Sequence, residues 1–300
     1  MPFPIEEKLV VAIASSALFD LTESHGVFER EGAKAYRVFQ EQHLDVPLMP
    51  GVAFPFIQRF LALNTWLPEV QPVEVVLLSR NSAATGRRVF RSIQHYGLNI
   101  SRAAFTAGKP PFGYAPAFNA ALFLSANGAD VQQAIAAGYP AGVVLGQGST
   151  VTEETTELRI AFDFDGVVAD DEAETVFKEQ DLAAFQSYEA ARAHIPHRPG
   201  PLADLLQKLA WLQSLAGDRL RTAIVTARSA PAHERVILTL EHWGVSVNEA
   251  FFLGGMEKSR ILARLQPHIF FDDQRSHLRS EIGAMVHIPF GIANRTEAIG

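Results

Sequence analysis

The stretch LRIAFDFDGVVADDEAE, Leu158–Glu174, decides the fold expected for this chain. Its apolar run, Leu158–Phe162, predicts a buried β-strand that leads directly into Asp163 and Asp165, after which Gly166 turns the chain. Ligand sites of parallel α/β sheets lie at the carboxyl ends of strands, where these two acids fall. Neighbouring carboxylates repel each other unless a cation lies between them or one takes a proton. The pair therefore predicts a cation site, and carboxylate oxygens suit Mg²⁺.

The three acids Asp170, Asp171 and Glu172 allow two interpretations. They are typical of a helix N-terminus, where an Asp caps the helix and acids in the first turn complement its dipole. They could also contact substrate or support a metal ion. The sequence leaves both open.

Composition excludes several classes of protein. The 300 residues are 48% hydrophobic and carry a net charge of −7, which argues against disordered chains and general nucleic-acid binders. The absence of cysteine excludes disulfides, zinc thiolates and a cysteine nucleophile. No apolar run reaches a membrane span, and the segment Leu9–Phe19 is interpreted as a buried strand because Glu6 and Glu7 precede it. We therefore expect a cytoplasmic protein without membrane or nucleic-acid partners, and a homo-oligomer is compatible with the sequence.

The chain repeats itself at an offset of 147 residues. VLLSRNSAATGRRVFRSIQHYGLNISRAAFTAG (Val76–Gly108) lies over AIVTARSAPAHERVILTLEHWGVSVNEAFFLGG (Ala223–Gly255). The same ungapped offset serves two further strands, which favours two tandem lobes over a chance similarity between βα units. At this offset Asp163, Asp165, Asp272 and Asp273 correspond to Ser16, Leu18, Ser125 and Ala126. The first lobe is therefore predicted to be a degenerate copy of the second, which covers or shapes the functional site of the second lobe.

Each lobe is predicted to be α/β with a doubly wound, mainly parallel sheet. The lobes are expected at 1–147 and 158–300, joined by a polar linker at 148–157, with a small helical cap at about 173–197. His194 and His197 have HxxH spacing but lie beside prolines, which favours loop residues over metal ligands. Strands are predicted at Leu9–Ala14, Val73–Leu78, Ala121–Leu124, Val143–Leu145, Leu158–Phe162, Arg221–Val225 and Ile269–Phe271, and helices at Gly86–His95 and Glu234–His242.

Three further strand ends or helix starts in the second lobe carry polar residues. Thr226 follows an apolar strand, Lys258 follows a Gly pair, and Asp272 and Asp273 end another apolar strand. Singly, each also fits a helix cap, a surface lysine or a turn. The order Asp-x-Asp, Thr, Lys, Asp-Asp is more specific, and it resembles the haloacid dehalogenase-like superfamily of phosphohydrolases over Leu158 to about Gly291.

The resemblance implies a role for each matching residue. Asp163 would be the nucleophile that becomes an aspartyl phosphate, and Asp165 the general acid and then the base. Thr226 would hydrogen-bond the phosphoryl oxygens, and Lys258 would offset their charge. Mg²⁺ would be held by Asp163, by the backbone carbonyl of Asp165, and by Asp273 with Asp272, of which Asp273 ranks first.

Longer segments give a narrower resemblance. The chain is similar to the type I, AMP-preferring cytosolic 5′-nucleotidases, which implies Mg²⁺-dependent hydrolysis of nucleoside 5′-monophosphates to nucleoside and phosphate. It departs from the animal enzymes at Phe164, where they have Gly. The similar segments are AIASSALFDL, FEREGAKAYRVFQ, PLMPGVAFPFIQRFLALN, LLSRNSAATGRRVFRSIQHYGLNISRAAFTAGKPPFGY, AFDFDGVVADDEAE and HIPFGIANR.

Substrate contacts are expected from both lobes. The first lobe's polar strand end could bind base, ribose or an effector, although the same residues could only cap the helix near Thr85, and GKPPFGY could be a plain surface loop. The candidates are Arg80, Asn81, Ser82, Lys109, Ala227 and Arg228. Two other functions stay open: a phosphatase of another small phosphomonoester, and a non-catalytic nucleotide-binding module, against which the complete catalytic set argues.

Overall fold

The computed structural model describes residues 3–146, 157–279 and 283–295. The chain divides into two compact units, Met1–Thr155 and Thr156–Gly300. Apart from Glu157, the expected linker lies outside the described residues. No helix in the described ranges is long and apolar enough to cross a membrane.

The first unit is an α/β unit whose strand pairs are parallel. Its strands lie in the order β3-β2-β1-β4-β5, and β1 and β2 are buried along their whole length, as expected for central strands covered on both faces. The strands are β1 Leu9–Ile13, β2 Val73–Ser79, β3 Arg102–Phe105, β4 Ala120–Ser125 and β5 Ala141–Leu145, and the helices are α1 Ser15–Leu18, α2 Thr22–Gln42, α3 Phe54–Trp66, α4 Gly86–His95 and α5 Gly128–Ala136.

The second unit has the same internal strand order, β8-β7-β6-β9-β10, again with parallel pairs. The segment expected to form a helical cap holds two helices, α6 and α7. The strands are β6 Leu158–Phe162, β7 Leu220–Thr226, β8 Glu249–Phe252, β9 Ile269–Asp272 and β10 Ala284–His287, and the helices are α6 Glu172–Glu179, α7 Leu182–Ala191, α8 Ala203–Ala216, α9 His233–His242 and α10 Lys258–Leu265. The predicted α/β class with parallel strands is confirmed.

The correspondence between the units contains a gap. Strands β2 and β3 and helix α4 match β7, β8 and α9 residue for residue at the offset of 147. However, Ile13 lies opposite Leu77 in the first unit, whereas Phe162 lies opposite Ile224 in the second, so the first strands match at an offset of 149. The reason is that the second unit is two residues shorter between its first two strands.

This gap changes which residue corresponds to Asp163. The backbone N–H of Ala14 donates to Leu124 O at 2.8 Å, and that of Asp163 donates to Phe271 O at 2.8 Å. Ala14 therefore occupies the position of Asp163, and the prediction that Ser16 does so is wrong. The same shift removes the match of Leu18 with Asp165. The first unit still lacks an acid at the position of Asp163.

Candidate active site

Three strand ends of the second unit bring the predicted catalytic residues to one edge of its sheet. Strand β6 lies between β7 and β9, so the residues after their carboxyl ends converge. Asp163 follows β6, Thr226 ends β7, and Asp272 ends β9. All three side chains are buried, at 4%, 1% and 0% exposure.

Lys258 joins two of these acids. Its Nζ lies 2.7 Å from Asp163 Oδ2 and 2.7 Å from Asp272 Oδ2. Burial would lower the pKa of the Lys258 ammonium, but the two carboxylates outweigh it and raise that pKa. Burial raises the pKa of Asp163 to about 7 against the opposing effect of Lys258. The lysine therefore stays charged and forms an ion pair with each of the two acids.

Asp272 has partners for both carboxylate oxygens. Oδ1 accepts from the backbone N–H of Gln274 at 2.8 Å, Oδ2 accepts from Lys258, and His277 Nδ1 lies 3.2 Å from both oxygens. One carboxylate oxygen each of Asp163 and Asp272 and one ring nitrogen of His277 lie within 4.8 Å of one another, close enough to hold a metal ion together. His277 was not predicted from the sequence, because a lone histidine in a short turn carries no recognisable signal.

Asp273, in contrast to Asp272, has no positively charged partner among the residues that the structure describes. It is 1% exposed, and in the described parts of the chain neither carboxylate oxygen accepts from a cationic or amide donor, the neighbouring hydrogen-bonding group being the Glu174 carboxyl. Burial and the charges of Asp163, Glu174 and Asp272 raise the pKa of Asp273 to about 10. A buried carboxylate without a donor is costly unless a cation compensates it. The carboxylate oxygens of Asp163, Asp272 and Asp273 are hard donors of the kind that Mg²⁺ prefers.

Gly166 makes room for the Asp273 carboxylate. It has φ +70°, and a Cβ at this position would lie 2.6 Å from Asp273 Oδ2. A side chain would therefore displace the carboxylate as well as strain the backbone.

We expect Gly166→Ala to lower Mg²⁺ affinity at least about tenfold, because ligand geometry sets the affinity of such sites. Isothermal titration with Mg²⁺ measures it. Gly244→Ala is the matched control, since Gly244 has φ +67° and nothing within 4 Å of the added Cβ. Both changes should cost about 1 kcal/mol of stability from backbone strain, but the control should bind Mg²⁺ like the unchanged chain. Equal affinities in both variants would contradict the role of Asp273.

Thr226 and Ala227 form the turn after β7. Thr226 Oγ1 accepts from the backbone N–H of Arg228 at 3.2 Å, and the carbonyl of Ala227 accepts from Gly255 N–H at 3.1 Å. These contacts fix the loop that leads toward Lys258. The phosphate-binding role of Thr226 stays a prediction.

Arg228, expected to contact substrate, has other partners in the structure. It is 4% exposed, and its guanidinium donates to both carboxylate oxygens of Asp165, at 2.8 and 2.6 Å. It also donates to Glu189 on α7, which accepts from Arg235 Nη1 at 2.7 Å. Glu189 and Arg235 were not predicted as site residues because their partners are distant along the chain.

Glu189 gives a pH-dependent prediction. Burial would raise its pKa, but His197 and Arg228 outweigh burial and lower the pKa to about 2. Glu189→Gln should therefore destabilise the fold at pH 7 by about 3 kcal/mol, the usual cost of breaking a buried ion pair. The stabilisation by Glu189 is present above its unfolded pKa near 4.5 and is lost as the pH falls toward 2. Urea unfolding of both proteins at pH 7 and pH 3 should show the difference shrinking; a difference that grows on acidification would contradict this assignment.

The side chains of three of the four substrate candidates of the first unit have hydrogen-bond partners within the described part of that unit. Arg80 pairs with Asp130 and donates to Gly108 O at 2.7 Å. Asn81 Oδ1 accepts from Tyr36 Oη at 2.8 Å. Ser82 exchanges hydrogen bonds with Thr85 immediately before α4, as the capping alternative predicts. Lys109 is exposed in the loop after β3. Their contact with substrate stays a prediction.

A family model described as 5′-nucleotidase matches residues 1–295. The chain belongs to the 5′-nucleotidase family. It is also 37% identical over 292 residues to human cytosolic 5′-nucleotidase 1B, an alignment that covers 92% of this chain and 48% of the human protein. The chain thus spans about half the length of this curated relative. No solved structure matches it.

Membership of the 5′-nucleotidase family confirms the family recognised from the sequence motifs. It supports an enzyme of the phosphoric monoester hydrolase class, in agreement with the buried cluster around Asp163 and Lys258. The family match covers the whole first unit and the second unit as far as residue 295.

Proposed function

We propose that this chain is a Mg²⁺-dependent phosphatase that hydrolyses nucleoside 5′-monophosphates through an aspartyl phosphate on Asp163. The observation that carries the proposal is the buried strand-end cluster, in which Lys258 lies 2.7 Å from Asp163 while the neighbouring Asp273 has no cationic or amide donor among the described residues. Membership of the 5′-nucleotidase family and the name of the human relative supply the substrate class. That name also supports a cytoplasmic location.

In the first step, a carboxylate oxygen of Asp163 attacks the phosphorus atom and the bond from phosphorus to the 5′ oxygen breaks. Asp165 gives a proton to this leaving oxygen. In the second step Asp165 takes a proton from water, whose oxygen attacks phosphorus. The bond to Asp163 then breaks and phosphate leaves. Lys258 neutralises charge at the nucleophile, and Thr226 would hold a phosphoryl oxygen.

The residues that would hold Mg²⁺ are Asp163, Asp273 and the backbone carbonyl of Asp165. Bound there, Mg²⁺ would screen the repulsion between a carboxylate nucleophile and a phosphate dianion. Asp272 would act by holding Lys258 and His277, which are its partners in the structure. The ranking of Asp273 above Asp272 as the metal ligand stays a prediction.

An assay of phosphate release from AMP, other nucleoside monophosphates and sugar phosphates, with and without Mg²⁺, tests the proposal. We expect nucleotides to react fastest and only with Mg²⁺. Faster turnover of any sugar phosphate would favour the broader phosphatase, and no turnover would favour a regulatory module. For the first unit, Arg80→Ala and Asn81→Ala test substrate contact, which an unchanged KM for every nucleotide would exclude.

A further inference from the structure

A buried charge network links α7 to Asp165. Glu189 is 1% exposed and accepts from Arg228 and, at 2.7 Å, from Arg235, while His197 Nε2 lies 3.4 Å away. The remaining donors of Arg228 form a fork on Asp165, with Nε at 2.8 Å from Oδ2 and Nη2 at 2.6 Å from Oδ1. Arg228 is thus the only residue of this group that contacts the proposed acid and base in the described part of the second unit.

The first unit provides an internal comparison for one half of this network. Arg88 Nε donates to Val46 O at 2.9 Å, as Arg235 Nε does to a backbone carbonyl at 2.8 Å in the second unit. Arg88 Nη1 donates to Gln40, as Arg235 Nη1 donates to Glu189. This half occurs in both units, so it belongs to the scaffold of the fold.

The other half occurs in the second unit alone. Asn81 takes the position of Arg228, and the turn is the same: its N–H donates to Ser79 Oγ at 3.1 Å, as that of Arg228 donates to Thr226 Oγ1 at 3.2 Å. The turn therefore forms without a guanidinium. Arg228 is present in the unit that carries Asp165 and absent from the unit that lacks the acid.

We propose that Arg228 is a positioning residue that fixes the carboxylate of Asp165, and that Glu189 in turn fixes Arg228. The inference rests on the proposed function, in which Asp165 must meet the leaving oxygen and then a water molecule at one place. A bidentate guanidinium restrains both the position and the rotation of a carboxylate, which a point charge does not. Phe164, fully buried with its ring centroid 5.4 Å from the guanidinium carbon, packs against the fork.

Arg228→Lys and Arg228→Gln test the proposal through the separate effects on kcat and KM for AMP at saturating Mg²⁺. Both should lower kcat at least about tenfold and leave KM within about threefold, because the lysine keeps the charge but not the fork. Arg88→Gln is the matched control: it removes a buried arginine of the same scaffold, and should lower the melting temperature while kcat stays within about twofold. A raised KM with unchanged kcat would overturn the proposal in favour of substrate contact.

A double-mutant cycle separates positioning from a merely structural role. If Arg228 acts through Asp165, Asp165→Asn combined with Arg228→Gln should have the kcat of Asp165→Asn alone, within about threefold. Multiplied losses would overturn the proposal. Release of labelled phosphate over hours at high enzyme concentration measures the slow variants. Wild-type kcat in Asp165→Asn would instead refute the proposed role of Asp165, so the two failures are distinguishable.

Discussion

Asp163→Asn is expected to lower kcat toward AMP by at least about 10⁴-fold while the protein remains folded. Asparagine preserves the shape of the side chain, but its amide does not attack phosphorus as a carboxylate does. The fold should persist because Lys258 keeps its contact with Asp272 at 2.7 Å. Steady-state kinetics and thermal unfolding measure the two effects.

Acid quenching of the reaction with AMP that is radiolabelled in its phosphate group tests whether Asp163 is the nucleophile. The unchanged chain should trap a phosphoenzyme that hydroxylamine cleaves, as expected of an acyl phosphate, and Asp163→Asn should trap none. Asp170→Asn is the control, since Asp170 is an acid of the same loop that pairs with Arg198 and lies outside the cluster. Its kcat should stay within about threefold; a labelled Asp163→Asn protein would place the nucleophile elsewhere.

Seven of the ten strands that the structure describes could be predicted from the sequence, whereas β3, β8 and β10 could not. Strands such as β1, β2 and β6 are apolar runs because both faces of the sheet are covered. Strands β3 and β8 lie at the ends of their units' strand orders and are only partly buried, so they lack that signal. Strand β10 is buried and four residues long, and it was not among the predicted strands.

The acids of the site could be predicted because strand topology alone places them together. Parallel strands end at one edge, so Asp163 and Asp272 meet whatever loops connect them. The partners of Arg228 depend on how α7 packs, which no local pattern encodes, and its charge at a strand end was interpreted as a substrate contact. Similarly, the offset of 149 between the first strands is visible only in the strand pairing, such as that of Ile13 with Leu77. The other matched elements keep the offset of 147, so the sequence alone does not show that the segment between the first two strands differs by two residues.

Asp273→Asn is expected to remove activity and yet stabilise the metal-free protein, raising its melting temperature by about 3 °C or more at pH 7. The folded pKa of about 10 lies above the ordinary value of 3.8, so this acid favours folding only at low pH and costs stability as the pH rises through that interval. Asparagine does not carry this cost. The difference between variant and unchanged chain should therefore widen from about pH 4 toward pH 10, and the added stability conferred by Mg²⁺ should disappear in the variant.

Asp272→Asn should have the opposite effect on the metal-free protein, although the two acids are adjacent. Burial would raise the pKa of Asp272, but Lys258 and His277 outweigh burial and lower it. Its removal leaves Lys258 with Asp163 alone, so the melting temperature should fall. Thermal unfolding of both variants with and without Mg²⁺ compares these signs. If Asp273→Asn lowered the metal-free melting temperature as much as Asp272→Asn, the Asp273 carboxylate would already have partners in the fold, and no cation would be needed to compensate it.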